Sequence, residues 1–225
     1  MKSLFIDTAT SCGSLALFDH DNLLGSLTFN TQTKHLQALH KGIKYLLDLF
    51  AVPIDQIDLV GVDVGPGSFT GIRIGVTAAR TLAQVKNLYI EGIDSLSLLA
   101  SKVPFEDNII LSLIDGKKGR LFTGFFQKQR KGLKRLLPFS DIYPENVIPI
   151  IRKNFRDKKL ILVGDGQIGL KKFNLPSVTF TDENYYYPEA KYMRFFLSHK
   201  KKLNRDHEKI VPFYLRRSDA EEKSG

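Results

Sequence analysis

The stretch Gly65-Pro66-Gly67-Ser68-Phe69-Thr70-Gly71-Ile72-Arg73-Ile74-Gly75 is where this chain has most capacity for chemistry. Its glycines let the backbone take positive φ or approach another chain closely, and Pro66 stiffens the turn. Ser68 or Thr70 can cap a following helix, whose positive N-terminal end suits an anion such as phosphate. The string is not a Walker loop, because no Gly-Lys-Ser/Thr follows. Ser68 is not a hydrolase nucleophile either, since Gly-x-Ser-x-Gly would need glycine where Pro66 and Thr70 stand. On chemistry alone the string reads as a structural strand-to-helix turn.

Two further candidates fail on spacing. Gly164-Asp165-Gly166-Gln167-Ile168-Gly169 satisfies G-x-G-x-x-G, with Asp182 and Glu183 downstream as a dinucleotide site would place them. Only Leu170–Leu175 precedes Pro176, too short a run for the crossover helix of such a site. The histidines are His20, His35, His40, His199 and His207. His35 and His40 lie about 140° apart around a helix and cannot grip one metal. No metal site is expected, and each histidine reads as a surface or partner-contact residue.

The elements that must position these residues follow from periodicity. Leu4–Ile6, Ser14–Phe18 and Leu23–Phe29 read as strands, and Leu36, Leu39, Ile43, Leu46, Leu47 and Phe50 make a helix stripe over 33–50. A strand at Leu59–Val64, a helix at Phe69–Val85, a strand at Leu88–Ile93 and a helix capped by Asp94 or Ser95 complete the first half. After a break at Pro104–Asn108 the order recurs: strands near Ile109–Ile114, Arg120–Gln127 and Leu133–Phe139, then a helix at Pro144–Asn154. A strand at Leu160–Val163 and a helix at Lys191–Lys202 follow. Two copies of β-β-β-α-β-α predict an α/β protein of two lobes, each a mixed sheet with packed helices. The lobes span 1–104 and 105–225, with the last helix and tail able to pack back on the first. This order resembles the actin, sugar-kinase and Hsp70 superfamily (ASKHA, ribonuclease H-like).

Bulk properties narrow the setting. The single cysteine, Cys12, excludes an internal disulfide and fits a reducing compartment. No apolar run reaches the ~20 residues of a membrane helix, and Asp7 interrupts any signal-peptide core. A cytoplasmic protein without membrane contact is expected. The net charge of +9 is uneven: residues 1–112 sum to −3 and residues 113–225 to +12. The basic half suits an acidic partner, nucleic acid being the usual one, or is a solvated surface.

The string GPGSFTGIRIG resembles the hallmark of the TsaB/YeaZ family. Ile6-Asp7-Thr8, His35, Ile114-Asp115 with Gly119, Gly164-Asp165-Gly166 and Pro212-Phe213-Tyr214-Leu215-Arg216 agree in order. Arg120 stands where the family usually carries an acidic residue, and Leu36 where a small hydroxyl residue is common. The resemblance implies a non-catalytic subunit for threonylcarbamoyladenosine modification of tRNA, one that binds and activates the paralogous transferase TsaD. It also implies the ATPase TsaE as a further partner, weak or indirect contact with tRNA, and pairing of two copies when isolated.

Active superfamily members bind phosphate with a turn of the form Asp-x-Gly-Thr. Here the turns read Asp7-Thr8-Ala9-Thr10 and Asp115-Gly116-Lys117-Lys118, both degenerate. No catalytic residue and no cofactor of its own is expected, any nucleotide being placed at the interface with TsaD. An active kinase or ATPase and a glycoprotease-like peptidase are the alternatives. They lack intact turns, and a triad or metal pair, respectively. His35, Ala38, Gly42, Tyr45 and Leu49 on the first helix, with Ile74, Ala78, Thr81 and Val85 on the second, form a seam-like face. The alternative is that both helices are buried on two sides. The resemblance favours the seam as the TsaD contact.

Overall fold

The computed structural model describes all residues except 31–34, 105–107, 130–131, 176, 198–199, 201 and 217–225, and omits the side chains of residues 35 and 36. The chain divides into two units. The first is Met1–Leu98 with Pro188–Phe213; the second is Leu99–Tyr187 with the chain from Tyr214.

The first unit opens with β1 (Lys2–Asp7), β2 (Cys12–Asp19) and β3 (Asn22–Asn30), followed by α1 (His35–Leu49). Then come β4 (Ile57–Asp63), α2 (Phe69–Lys86), β5 (Tyr89–Ile93) and α3 (Ser95–Ser101), which carries the chain across the division. The sheet order is β3-β2-β1-β4-β5, antiparallel from β3 to β1 and parallel from β1 to β5. β1 and β2 are buried along nearly their whole length, which explains why they read as apolar runs rather than alternating ones. Successive side chains still part to opposite faces. Leu4, Ile6, Leu15, Leu17, Val60 and Val62 pack with Leu39 and Leu46 of α1 and Ile72, Val76 and Ala79 of α2. Phe5, Ala16, Phe18 and Leu59 meet Ala190, Met193 and Leu197 on the other face.

Those last three residues lie on the segment Pro188–Phe213, which serves the first unit although it comes late in sequence. Where a helix over Lys191–Lys202 is expected, a 3-10 turn, Ala190–Met193, leads into α5 (Arg194–Leu197), and residues 198, 199 and 201 lie outside the description.

The second unit holds β6 (Ile109–Asp115), β7 (Leu121–Gln129), β8 (Gly132–Arg135), β9 (Ser140–Ile142), α4 (Pro144–Asn154), β10 (Leu160–Val163) and β11 (Val178–Phe180). The order is β11-β10-β6-β7-β8, with β9 also paired to β7. Val147 and Ile151 of α4 pack on Leu111, Leu113, Phe125 and Leu162. The expected third strand over Leu133–Phe139 is split into β8 and β9 around Pro138, which has no N–H to donate to a ladder. The internal repeat is also incomplete. A 3-10 turn, Asp165–Leu170, stands after β10 where the first unit has α2, and the edge strand β11 pairs parallel to β10 as β5 does to β4.

Candidate functional site

The glycine-rich string connects β4 to α2, and its glycines are there because another turn lies against them. Gly65 has φ +103°, and its peptide bond to Pro66 is cis. A Cβ on Gly67 would stand 2.1 Å from the Ala9 carbonyl oxygen, and one on Gly71 2.0 Å from that of Thr8. The turn after β1 is therefore packed backbone to backbone against the string. Ser68 N–H donates to Ala9 O (2.6 Å), and the Thr8 hydroxyl donates to Gly71 O (2.7 Å). Ser68 Oγ caps α2 by accepting from Gly71 N–H at 3.2 Å. Thr70 and Arg73 face solvent, with the Arg73 guanidinium 3.9 Å from the Phe69 ring centroid.

The same contacts bear on phosphate. Ala9 N–H donates to Asp7 Oδ1 at 3.0 Å, and Cys12 N–H turns back to Thr10 Oγ1 at 3.4 Å. Thr8 and Ala9 are fully buried. These donors are committed within the chain, and the Ala9 Cβ sits where a glycine would leave room, so this turn does not fit a bound phosphate.

Sequence reasoning missed Asp63, which closes β4 beside Asp7 at the end of β1. Both are fully buried. Asp7 Oδ2 accepts from Ser14 Oγ at 3.0 Å, and Ser14 Oγ accepts from Ala190 N–H at 2.8 Å. Asp63 Oδ1 accepts from Gly65 N–H (2.8 Å) and Ser95 Oγ (2.6 Å), while its Oδ2 is buried without a hydrogen-bond partner among the described residues. Burial, and then the neighbouring Asp7 carboxylate, push the Asp63 carboxyl well above the ordinary carboxylate range. A carboxylate ending an otherwise apolar parallel strand was the available signal.

The raised Asp63 pKa sets a pH dependence. The folded state keeps a proton that the unfolded chain releases, so this group's contribution to stability falls as pH climbs from the ordinary carboxylate range toward the raised value. Asp63→Asn retains an acceptor for Gly65 and Ser95 but cannot ionise. It should melt above the parent at about pH 8, with the gap closing toward about pH 4, where both side chains are neutral. A gap independent of pH in a thermal melt series would contradict this reading.

The second unit repeats the arrangement with different partners. Asp115 ends β6, and Asp165 follows the parallel neighbour β10, accepting Asp115 N–H at 2.9 Å. Burial, then Asp115, raise the Asp165 carboxyl. Asp115 is held by Lys117, through its N–H to Oδ1 and its ammonium to Oδ2, both at 2.8 Å. Lys117, Lys118 and Gly119 all have positive φ, in a tight turn closed by Gly116 N–H to Arg120 O (2.9 Å). Arg120, the departure from the family pattern, is used locally: its Nε reaches Asp141 Oδ1 at 3.1 Å. Arg216 grips both oxygens of the same carboxylate at 2.7 Å. Burial draws the Asp141 carboxyl upward, but Arg216 and Arg120 outweigh it and hold it below the usual range.

The residues of the helical seam separate into two sets. Tyr45 and Leu49 are outward, 55% and 57% exposed, and on α2 Thr81 is exposed and Val85 is 72% exposed. Both helices run back against the parallel strands they feed, so Leu49 and Val85 lie toward the same end of the sheet. Ala38 is half-buried, and Ile74 and Ala78 pack partly on the unit's own core. Gly42 turns inward: a Cβ there would meet Leu15 Cδ1 at 2.8 Å, so glycine serves helix-to-sheet packing rather than an outer face. The His35 side chain lies outside the described residues.

Two mixed sheets whose antiparallel strands lead into parallel ones, each closed by strand-end aspartates, define a two-lobe α/β protein of the actin-like, ribonuclease H-like class. The family model for the tRNA N6-adenosine threonylcarbamoyltransferase TsaD matches residues 25–224. The tRNA threonylcarbamoyladenosine biosynthesis protein TsaB of Bacillus subtilis is 28% identical over 99% of this chain and 97% of its own. The protein of the same name from Buchnera aphidicola (subsp. Schizaphis graminum) is 31% identical over 84% and 89%. YeaZ from Pseudomonas aeruginosa superposes with a TM-score of 0.83 at 22% identity, covering 95% of this chain and 99% of its own. The chain belongs to the TsaB/YeaZ family.

Proposed function

We propose that this chain is a non-catalytic subunit in the threonylcarbamoyladenosine modification of tRNA, acting by docking on the transferase TsaD and activating it. The observation that carries the reading is the Thr8–Ala9 turn, whose Ala9 N–H, Ala9 carbonyl and Thr8 hydroxyl are occupied by Asp7, Ser68 and Gly71 of the same unit. A lobe that fills its own phosphate turn is suited to support another protein's chemistry rather than to turn over nucleotide. The family and the relatives' names supply the pathway.

The docking surface proposed is the outer side of α1 and α2 around Tyr45, Leu49, Thr81 and Val85. Exposed apolar side chains together on two adjacent helices are what a protein partner would cover. The same surface would pair two copies when TsaD is absent. Nucleotide is assigned to the interface with TsaD, TsaE joins the pair, and the work is cytoplasmic. No helix among the described residues is long and apolar enough to cross a membrane. Mixing the purified chain with TsaD should shift both proteins to one heterodimer peak on a sizing column. Separate elution at micromolar concentration would remove the docking claim.

A further inference from the structure

One end of the second unit gathers positive charge. The pairings Leu160↔Ile109 and Ile109↔Gln127, with Gln127↔Lys134, bring the start of β10, the start of β6, the end of β7 and the β8 edge to the same end of the sheet. α4 finishes there as well, and Ile109 N–H donates to Lys159 O. Phe155 anchors the link between α4 and β10 by stacking on Phe125, ring centroids 5.0 Å apart. With Phe155 turned inward, Arg152, Arg156, Lys158 and Lys159 are all exposed, beside exposed Lys134 and Arg135 of β8. None of the six makes an ion pair among the described residues, and the only acid within 152–159 is Asp157.

We infer that this end of the second unit binds the phosphodiester backbone of structured RNA. Like charges held close without partners repel one another and require counter-anions, which a phosphate backbone supplies at regular spacing. Protein interfaces are depleted in lysine and built around apolar anchors. Among the described residues no large hydrophobic side chain is exposed at this end, the nearest in sequence being Tyr143 at the opposite end of α4. The absence of exposed aromatics among the described residues of this end makes the contact one of charge and shape, without sequence preference. An apolar groove between α4 and residues 137–140, with Lys153 on its wall, is what an acidic peptide would need instead. The inference rests on the tRNA-modification reading for its ligand, a tRNA, and locates that ligand on a defined surface.

The test uses the full chain and a fluorescein-labelled tRNA transcript, with anisotropy read between about 50 and 200 mM salt. Replacing Arg152, Arg156, Lys158 and Lys159 with Gln should weaken binding at least ~10-fold at about 100 mM salt and flatten the log–log salt slope by about three. The Lys158→Gln/Lys159→Gln pair should lose about half of that slope. A control with the same charge removed elsewhere, at Lys41, Lys171, Lys172 and Lys202, should change affinity less than ~3-fold. Equal loss in the control would overturn the site, leaving net charge alone. An unchanged quadruple variant would overturn it too, as would displacement of the RNA by polyglutamate as effectively as by unlabelled tRNA. Modification assayed with TsaD in the same samples separates the two claims. A parent chain that supports none defeats the functional reading, while the binding series still decides the surface.

Discussion

Gly71→Ala is expected to unfold this protein or leave it barely stable. The new methyl would stand 2.0 Å from the Thr8 carbonyl oxygen, a backbone atom fixed by β1 and unable to swing aside as a side-chain end would. Relief requires parting α2 from the turn after β1, which breaks the bonds from Thr8 Oγ1 to Gly71 O and from Ser68 N–H to Ala9 O. Overpacking costs about 1–3 kcal/mol and each lost buried hydrogen bond about 1 kcal/mol more. The sum is a large part of the ~5–15 kcal/mol that holds a typical domain together. Gly119→Ala is the control: its φ is +72° but nothing lies within 4 Å, so only a left-handed penalty of about 1 kcal/mol applies. Urea midpoints for both variants give the comparison. A Gly71→Ala midpoint equal to that of Gly119→Ala would mean the turn-on-turn packing is not what the string secures.

The double variant Leu49→Glu/Val85→Glu should fold normally and lose TsaD. Both side chains are more than half exposed, so carboxylates there meet water in the free protein. In a complex they would be buried without partners, and hot-spot positions of this kind cost about 2–4 kcal/mol, or roughly 30- to 1,000-fold in affinity. Gly42→Arg, which the sequence pattern alone would choose as an interface probe, should cost stability as well, because a Cβ there already meets the end of the buried Leu15 side chain. Isothermal titration against TsaD, with melting of the same samples, separates the outcomes. Normal affinity in the folded double variant would place the interface elsewhere.

Much of the fold was legible because its signals are local. α2 starts at Phe69 where Ser68 caps it, α4 spans Pro144–Asn154 and β10 spans Leu160–Val163, all as pattern and punctuation indicate. What escaped is non-local. The last helix is expected to be able to pack back on the first lobe, but nothing near Lys191 announces that Met193 and Leu197 cover the far face of its sheet, since that pairing spans most of the chain. Gly42 of the helical seam shows a related limit. A glycine's spacing shows that something approaches closely but not from which side, and here it is Leu15 of the unit's own sheet. Asp63 was passed over because a lone carboxylate after apolar residues looks like a strand end. Only its neighbour Asp7, from the adjacent parallel strand, gives it meaning.

The proposed role makes this chain required for tRNA modification without performing it. The most direct measurement is threonylcarbamoyladenosine formed on a tRNA transcript supplied with TsaD, TsaE, ATP and threonylcarbamoyl-AMP, with this chain left out, added in steps, or present without TsaD. The chain alone should form no product, and product should rise with added chain and level off at one copy per TsaD. Leu49→Glu/Val85→Glu should fail to restore product at that ratio. Product formed by the chain without TsaD, or equal product from TsaD whether or not the chain is present, would contradict it.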